Sequence, residues 1–212
     1  MFKTIIIIIM ILLAPGKGGA QRPRVVLDPG HGGRDSGAVG PLGIREKDVA
    51  LDIALECLRL NRDLFADSLE LYLTRYGDTL ISLRDRGRLA KGLRADALVS
   101  IHCNQAPDPR AQGFEIFLHR KNDPRTAPGI LALGLADSLG SHLQGRLGIK
   151  ARGIKWADFQ VLRDTHGQLP AILLETGFLS NGTEAEYSSR ATGKTALALA
   201  LVESLIEILY DE

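Results

Sequence analysis

Val25-Val26-Leu27-Asp28-Pro29-Gly30-His31-Gly32-Gly33 opens on three apolar residues and breaks at once into a proline and glycine loop around one histidine. A run this short and this apolar reads as a strand buried on both faces, as in a sheet covered by helices on either side. Two further runs share the design. Ala97-Leu98-Val99-Ser100-Ile101 leads into His102, and Ala171-Ile172-Leu173-Leu174 leads into Glu175. In open α/β sheets the functional crevice lies beyond the carboxyl ends of the strands. Three strand ends bearing His, His and Glu are therefore expected to converge there.

The intervening sequence alternates between strand and helix. From Glu46 to Leu64, apolar residues recur at Val49, Ile53, Cys57, Leu60 and Leu64, one face of a helix. Leu71-Tyr72-Leu73 predicts a second strand, and Ser82 to Leu93 a second helix with Ser82 as its N-cap. This β-α-β-α-β order implies a parallel core with right-handed crossovers. Downstream, Gly113 to Leu118 alternates as a strand nearer an edge. Leu131, Leu135, Leu139, Leu143 and Leu147 mark a helix, and Phe159-Gln160-Val161-Leu162 reads as a strand preceding the Glu175 strand. A final helix carries a stripe through Leu199, Val202, Ile206 and Leu209. The expected architecture is one α/β domain over residues 21–212, a mostly parallel mixed sheet of about six strands with helices on both faces.

With 212 residues, 45% of them apolar, the chain can bury a real core. Its net charge of +1, with no basic run interleaved with aromatics, argues against nucleic acid as a partner. The start has the three-part layout of a secretory signal peptide: Met1-Phe2-Lys3, an apolar stretch from Ile5 to Leu13, then small residues up to Ala20. That stretch falls short of the roughly 20 residues needed to cross a bilayer, so no stable span is expected after cleavage near Ala20–Gln21. No cysteine lies in this region to carry a lipid. Cys57 and Cys103, the only two cysteines, give no disulfide framework. Both read as small core residues, with a single bridge between them left open.

His31, Glu46 and His102 are the donor types of a catalytic zinc site, which takes three protein ligands and keeps one position for water. Glu46 lies one turn before Val49 and Ala50, on the side of the buried stripe. Each residue alone has a plainer reading. A glycine-flanked histidine can hydrogen-bond within its loop, a strand-end histidine can be a satisfied core residue, and a first-turn glutamate suits the helix dipole. Glu175 can cap the turn that follows it, but an acid directly after four apolar residues needs a partner or a chemical task. His119 and His142 are expected to be exposed, and His166 to be a plain loop residue. Trp156 precedes a strand and either lines a groove or packs at the domain edge. Arg75, Asn104 and Arg163 are candidates to touch a substrate or to brace the site.

Six blocks in order carry a resemblance: residues 27–33, Glu46-Lys47-Asp48, Leu73-Thr74-Arg75, Ser100-Ile101-His102-Cys103-Asn104, Phe159 to Leu162, and Leu174 to Asn181. With them the chain resembles the zinc-dependent N-acetylmuramoyl-L-alanine amidases of the type-3 family, the cell-wall amidases involved in daughter-cell separation. The resemblance implies one zinc ion held by His31, Glu46 and His102, with Glu175 as the catalytic residue. It further implies hydrolysis of the amide between N-acetylmuramic acid and L-alanine in peptidoglycan, by a periplasmic or secreted protein, and it admits a protein activator. Cys103 stands where the family has a small residue. Neighbouring side chains along a strand point to opposite faces, so the thiol reads as packing. Some members carry a helix that blocks the zinc. Here one strand, a loop and the leucine-rich helix fill the interval from Asn104 to Arg152, so a bare catalytic domain without a spare helix is expected. Two other readings stay open: a zinc amidase or peptidase cutting another bond, and a non-catalytic envelope protein that binds glycan strands.

Overall fold

The computed structural model describes residues 21–210, so the leader expected over residues 1–20 lies outside the described residues. Six strands form one sheet in the order β2-β1-β3-β6-β4-β5. They are β1 (Arg24–Pro29), β2 (Glu70–Leu73), β3 (Ala97–Asn104), β4 (Phe114–His119), β5 (Ala151–Ala157) and β6 (Ala171–Phe178). β1 runs parallel to β2 and β3, and β3 runs parallel to β6. β4 is antiparallel to β6, and β5 follows β4 in parallel. The sheet is therefore mostly parallel, as expected, with a reversed pair at one side.

Helices α1 (Glu46–Phe65), α3 (Ala127–Ser141) and α6 (Ala191–Tyr210) cover one face. There they pack with Val25, Leu27, Val99, Ile101, Ile172 and Leu174. Helices α2 (Leu83–Gly92) and α4 (Gln160–Thr165) share the other face with Val26, Leu98, Ala171 and Leu173. Along each strand the side chains alternate between the two cores, the period-2 rule of an extended chain. A short helix α5 (Gly182–Ser189), unforeseen in the hydrophobic pattern, is N-capped by Asn181, whose side chain accepts from the Thr183 and Glu184 backbone N–H groups. Ser82 caps α2 as expected, accepting from the Asp85 N–H.

Several local expectations change. Phe159 to Leu162 is not a strand: Phe159 precedes α4, and Val161, Leu162 and Thr165 form its buried side. The strand of this region lies one segment earlier, in Ala151-Arg152-Gly153-Ile154-Lys155-Trp156-Ala157. It is an exposed edge strand, so it lacks the apolar run that marks a buried one. Trp156 consequently lies within a strand, exposed, rather than before one. Leu64 is exposed near the end of α1 while Val49, Ile53, Cys57 and Leu60 are buried. In α6 the buried face centres on Leu197, Leu201 and Leu205 rather than Leu199, Ile206 and Leu209; that helix is apolar nearly all round, so its sequence sets no phase. His119 and His142 are buried, not exposed. His119 Nε2 meets Asp158 at 3.0 Å, and His142 lies within 3.2–3.3 Å of Glu203 and Glu207 on α6. Cys57 and Cys103 are both buried and free.

One buried polar knot fixes the end of β1. Asp28 Oδ1 accepts from Thr74 Oγ1 and Arg86 Nη1, each at 2.7 Å, and Oδ2 accepts from Ser100 Oγ at 2.7 Å. The Asp28 and Arg86 side chains are only 1% and 3% exposed. Removing one member of such a pair strands the other charge in a low-dielectric interior. Asp28→Ala is expected to cost about 3–5 kcal/mol in urea unfolding, whereas Arg59→Ala, breaking surface ion pairs to Glu56 and Asp63, is expected to leave the urea midpoint nearly unchanged.

A candidate metal centre at the strand ends

Beyond β1 the chain turns sharply, and His31 takes the left-handed backbone conformation at φ 57°. This is unfavourable for a residue with a Cβ, and two arginines hold it in place. Arg75 donates to the carbonyls of Pro29, Gly30, Gly77 and Lys47. Arg86 donates to those of Pro29 and His31. Arg75 is therefore a brace. Arg163, the second arginine singled out in the sequence, lies at the surface against Asp158 and takes no part.

The loop delivers His31 against Glu46 at the start of α1, and β3 delivers His102 from the other side. Glu46 Oε1 lies 3.1 Å from His31 Nε2 and 2.8 Å from His102 Nδ1, while Oε2 accepts from the Ala38 N–H at 2.8 Å. The two imidazoles meet edge to face, with ring centres 5.1 Å apart. His31 Nδ1 is held by Asp35 Oδ2 at 2.8 Å, which orients the ring so that Nε2 faces Glu46. One ligand atom from each of His31, Glu46 and His102 lies within 4.8 Å of the others, so the three could hold a metal ion. Tetrahedral zinc with bonds of about 2.0–2.1 Å separates neighbouring ligand atoms by about 3.3–3.4 Å. The donor types fit such an ion, and seating it would open the 3.1 and 2.8 Å contacts of Glu46 with His31 and His102 by a few tenths of an ångström.

Two glycines make room for this packing. A Cβ on Gly30 would stand 2.4–2.7 Å from three atoms of the His102 ring. A Cβ on Gly37 would stand 2.4 Å from Glu46 Oε2 and 2.6 Å from His31 Cδ2. The Gly37 requirement was missed in the sequence, where its only signal was a glycine between the His31 loop and α1.

Glu175 follows four apolar residues on β6, and its Cα pairs with that of His102 across the β3–β6 ladder. It lines the same cleft, of about 640 Å³, as His31, Glu46 and His102. Among the described residues its Oε2 is buried without a hydrogen-bond partner. The two glutamates consequently behave in opposite ways. Burial disfavours ionised Glu46, but hydrogen bonds from His102 and His31 outweigh it and hold the carboxyl well below the usual carboxylate range. The bond to Glu46 in turn raises His31 to about 9, against the opposing effect of burial. Burial pushes the Glu175 carboxyl up to about 7. Cys103 points away from the centre, with Sγ 3.3 Å from Thr176 Oγ1, and burial holds its thiol far above the usual range. Leu80, Leu83 and Phe159 form exposed apolar lips of the cleft, and Phe159 packs edge-on against Phe117.

The sequence model of the N-acetylmuramoyl-L-alanine amidase family matches residues 25–207, which spans β1 to α6 and all four of these side chains. The chain belongs to this family. It is 36% identical over 185 residues to an endolysin of Bacillus phage SPP1, covering 87% of this chain and 65% of that protein. It is 34% identical over 182 residues to the amidase LytC of Bacillus subtilis, covering 86% of this chain and 34% of the relative. With the amidase AmiC of Escherichia coli the identity is 34% over 235 residues, covering 93% and 55%. The chain thus spans between 34% and 65% of these curated relatives. Among solved structures, an N-acetylmuramoyl-L-alanine amidase of Clostridium difficile 630 superposes with a TM-score of 0.82 at 31% identity, covering 91% of this chain and 100% of the other. The catalytic domain of the amidase CwlV from Bacillus (Paenibacillus) polymyxa gives 0.77 at 31%, covering 90% and 99%.

Two outcomes follow from the geometry. Gly30→Ala forces the His102 ring aside while leaving the backbone in an ordinary conformation, so zinc affinity by titration calorimetry is expected to fall about 10–100-fold with the far-ultraviolet dichroism unchanged. In metal-free protein, Glu175→Gln is expected to stabilise the fold at high pH. A carboxyl at about 7 in the fold rather than its ordinary 4.5 costs nothing below 4.5, where both states are protonated. The cost grows from pH 4.5 to 7 and levels off above, on the order of 3 kcal/mol. Urea midpoints of wild type and variant should therefore coincide at pH 4 and separate at pH 8.

Proposed function

We propose that this chain is a zinc-dependent N-acetylmuramoyl-L-alanine amidase that hydrolyses the bond between N-acetylmuramic acid and L-alanine in peptidoglycan. The observation that carries this reading is the close His31–Glu46–His102 donor set beside a buried Glu175 oxygen that has no partner, all in one open cleft. Family membership supports the choice of bond.

In this reading His31, Glu46 and His102 hold one zinc ion. Bound there, the ion lowers the pKa of water from about 16 toward about 7 and polarises the amide carbonyl. Asp35 fixes the ring of His31 through Nδ1, and the Cys103 backbone N–H helps fix Glu46 through Oε1 at 3.1 Å. Glu175 takes up the proton that water sheds on attack and returns it to the alanine nitrogen. An amide nitrogen leaves poorly unless protonated, so one carboxyl group must carry a proton between two sites, and a group near neutrality does this best. The oxygen of Glu175 without a partner is free to take that part, whereas both oxygens of Glu46 are engaged. The apolar lips formed by Leu80, Leu83 and Phe159 suit the sugar ring and methyl groups of such a substrate.

Residues 1–20 act in this reading as a cleaved secretory leader, so the protein works in the periplasm or outside the cell, in cell-wall remodelling or daughter-cell separation. Among the described residues no helix is long and apolar enough to cross a membrane.

The test is digestion of purified peptidoglycan, with zinc and with chelator, and mass spectrometry of the products. Peptides with a free L-alanine amino terminus, formed only with metal, are expected; peptides cut elsewhere would move the reading to another amide bond. Zinc-loaded protein that becomes active only with a second protein would identify a required activator. Glu175→Gln is expected to keep stoichiometric zinc while turnover falls about 10²–10⁴-fold, and His102→Ala to lose both. Near-normal turnover in Glu175→Gln would overturn the assignment.

A further inference from the structure

A third carboxylate stands beside the centre. Glu115 on β4 pairs with Glu175 across the antiparallel ladder, and its side chain is buried. Its Oε2 accepts from Asn104 Nδ2 at 3.0 Å. Its Oε1 receives two cations at once, Arg152 Nε and Lys155 Nζ, each at 2.6 Å from β5. A single cation would neutralise this carboxylate. The second leaves a surplus positive charge next to the cleft.

Most donors of these cations remain free. Among the described residues Arg152 uses only Nε, and Lys155 makes one side-chain hydrogen bond. Both side chains are more than a third exposed, at 36% and 39%. Arg75 and Arg86, by contrast, are buried and direct their guanidinium donors at backbone carbonyls and Asp28. Aromatic rings support the two exposed cations: the Arg152 guanidinium lies 4.9 Å over the Phe178 ring, and Lys155 Nζ lies 5.9 Å from that of Phe117. Phe117 in turn contacts Phe159 at the lip of the cleft. The cations, Arg152 near the start of the edge strand and Lys155 in its middle, are thus preorganised on Glu115, with the free donors of a bidentate carboxylate receptor.

We propose that Arg152 and Lys155, seated on Glu115, form a subsite that recognises a carboxylate on the peptide side of the substrate. This rests on the amidase reading above and specifies which peptides that site prefers. Neighbouring strands stand about 4.8 Å apart, so the charges above Glu115 lie about one strand spacing from the column of Glu175. In an extended peptide, the α-carboxylate on the residue after the scissile alanine lies on the order of 5–7 Å from the alanine nitrogen. The subsite therefore selects an acyl-L-alanyl peptide whose second residue keeps that carboxylate free, over the same peptide with a carboxamide there.

The test uses N-acetylmuramoyl-L-alanyl-D-glutamate and its α-carboxamide as ligands of zinc-loaded Glu175→Gln protein, which leaves them uncut during calorimetry. The free carboxylate is expected to bind at least about 10-fold more tightly, with the preference shrinking as salt rises. Adding Lys155→Met, which keeps Arg152 on Glu115, should bring the two ligands within about 2-fold by weakening the carboxylate form alone. Equal binding of the two ligands before that change, or equal weakening of both after it, would overturn the proposal and reduce the pair to a brace for Glu115. Cleavage by wild-type protein is followed separately. Turnover without a carboxylate preference leaves the amidase reading standing alone, and a preference without turnover leaves the subsite standing alone.

Discussion

The carbonyl groups of Pro29, Gly30 and His31 are held by the guanidinium groups of Arg75 and Arg86, and the candidate metal centre depends on that grip. Without it nothing would keep His31 in a left-handed conformation that costs of order 1–2 kcal/mol for a residue with a side chain. Asp28 makes the arrangement tolerable in a dry interior by neutralising Arg86 and tying β1 to Thr74 and Ser100. The chain invests its buried polar groups at the end of one strand, and the cores on either face are free to be apolar.

Three glutamates on this end of the molecule then acquire three characters from their surroundings. Glu46 is wrapped by two imidazoles and two backbone N–H groups and stays ionised. Glu175 has an oxygen with no donor beside it, and burial moves it toward neutrality. Glu115 has more cations than it can neutralise. Environments that push identical side chains apart in this way let one fold divide tasks among them, here the ligand, proton-carrier and recognition roles proposed for these three. The separation is achieved over three adjacent strands and the first turn of one helix.

Much of this was legible in the sequence because buried strands leave a strong mark. Val25 to Leu27, Ala97 to Ile101 and Ala171 to Leu174 all form central strands, and the residues that close them do meet. What was misread follows one rule. β5 is an edge strand whose Arg152, Gly153 and Trp156 face solvent, so hydrophobic patterning passed over it and placed a strand on Phe159 to Leu162 instead. His119 and His142 were expected outside because histidine in polar surroundings usually is. Their burial depends on Asp158, Glu203 and Glu207, which lie 39 to 65 residues away along the chain or nearly so. Hydrogen bonds between distant segments carry no local signature.

By itself, then, the sequence determined the class of fold and the four residues gathered in the cleft, because burial and strand ends are properties of short segments. Tertiary structure alone decided the direction of β4 and β5. Had they run parallel to β6, Glu115, Arg152 and the start of both strands would stand at the far end of the sheet. Reversed, they bring their first residues level with Glu175, the last part of β6. Strand direction is set by how the chain crosses over and packs α3 against the sheet, a matter of long-range closure that no local stretch of residues encodes.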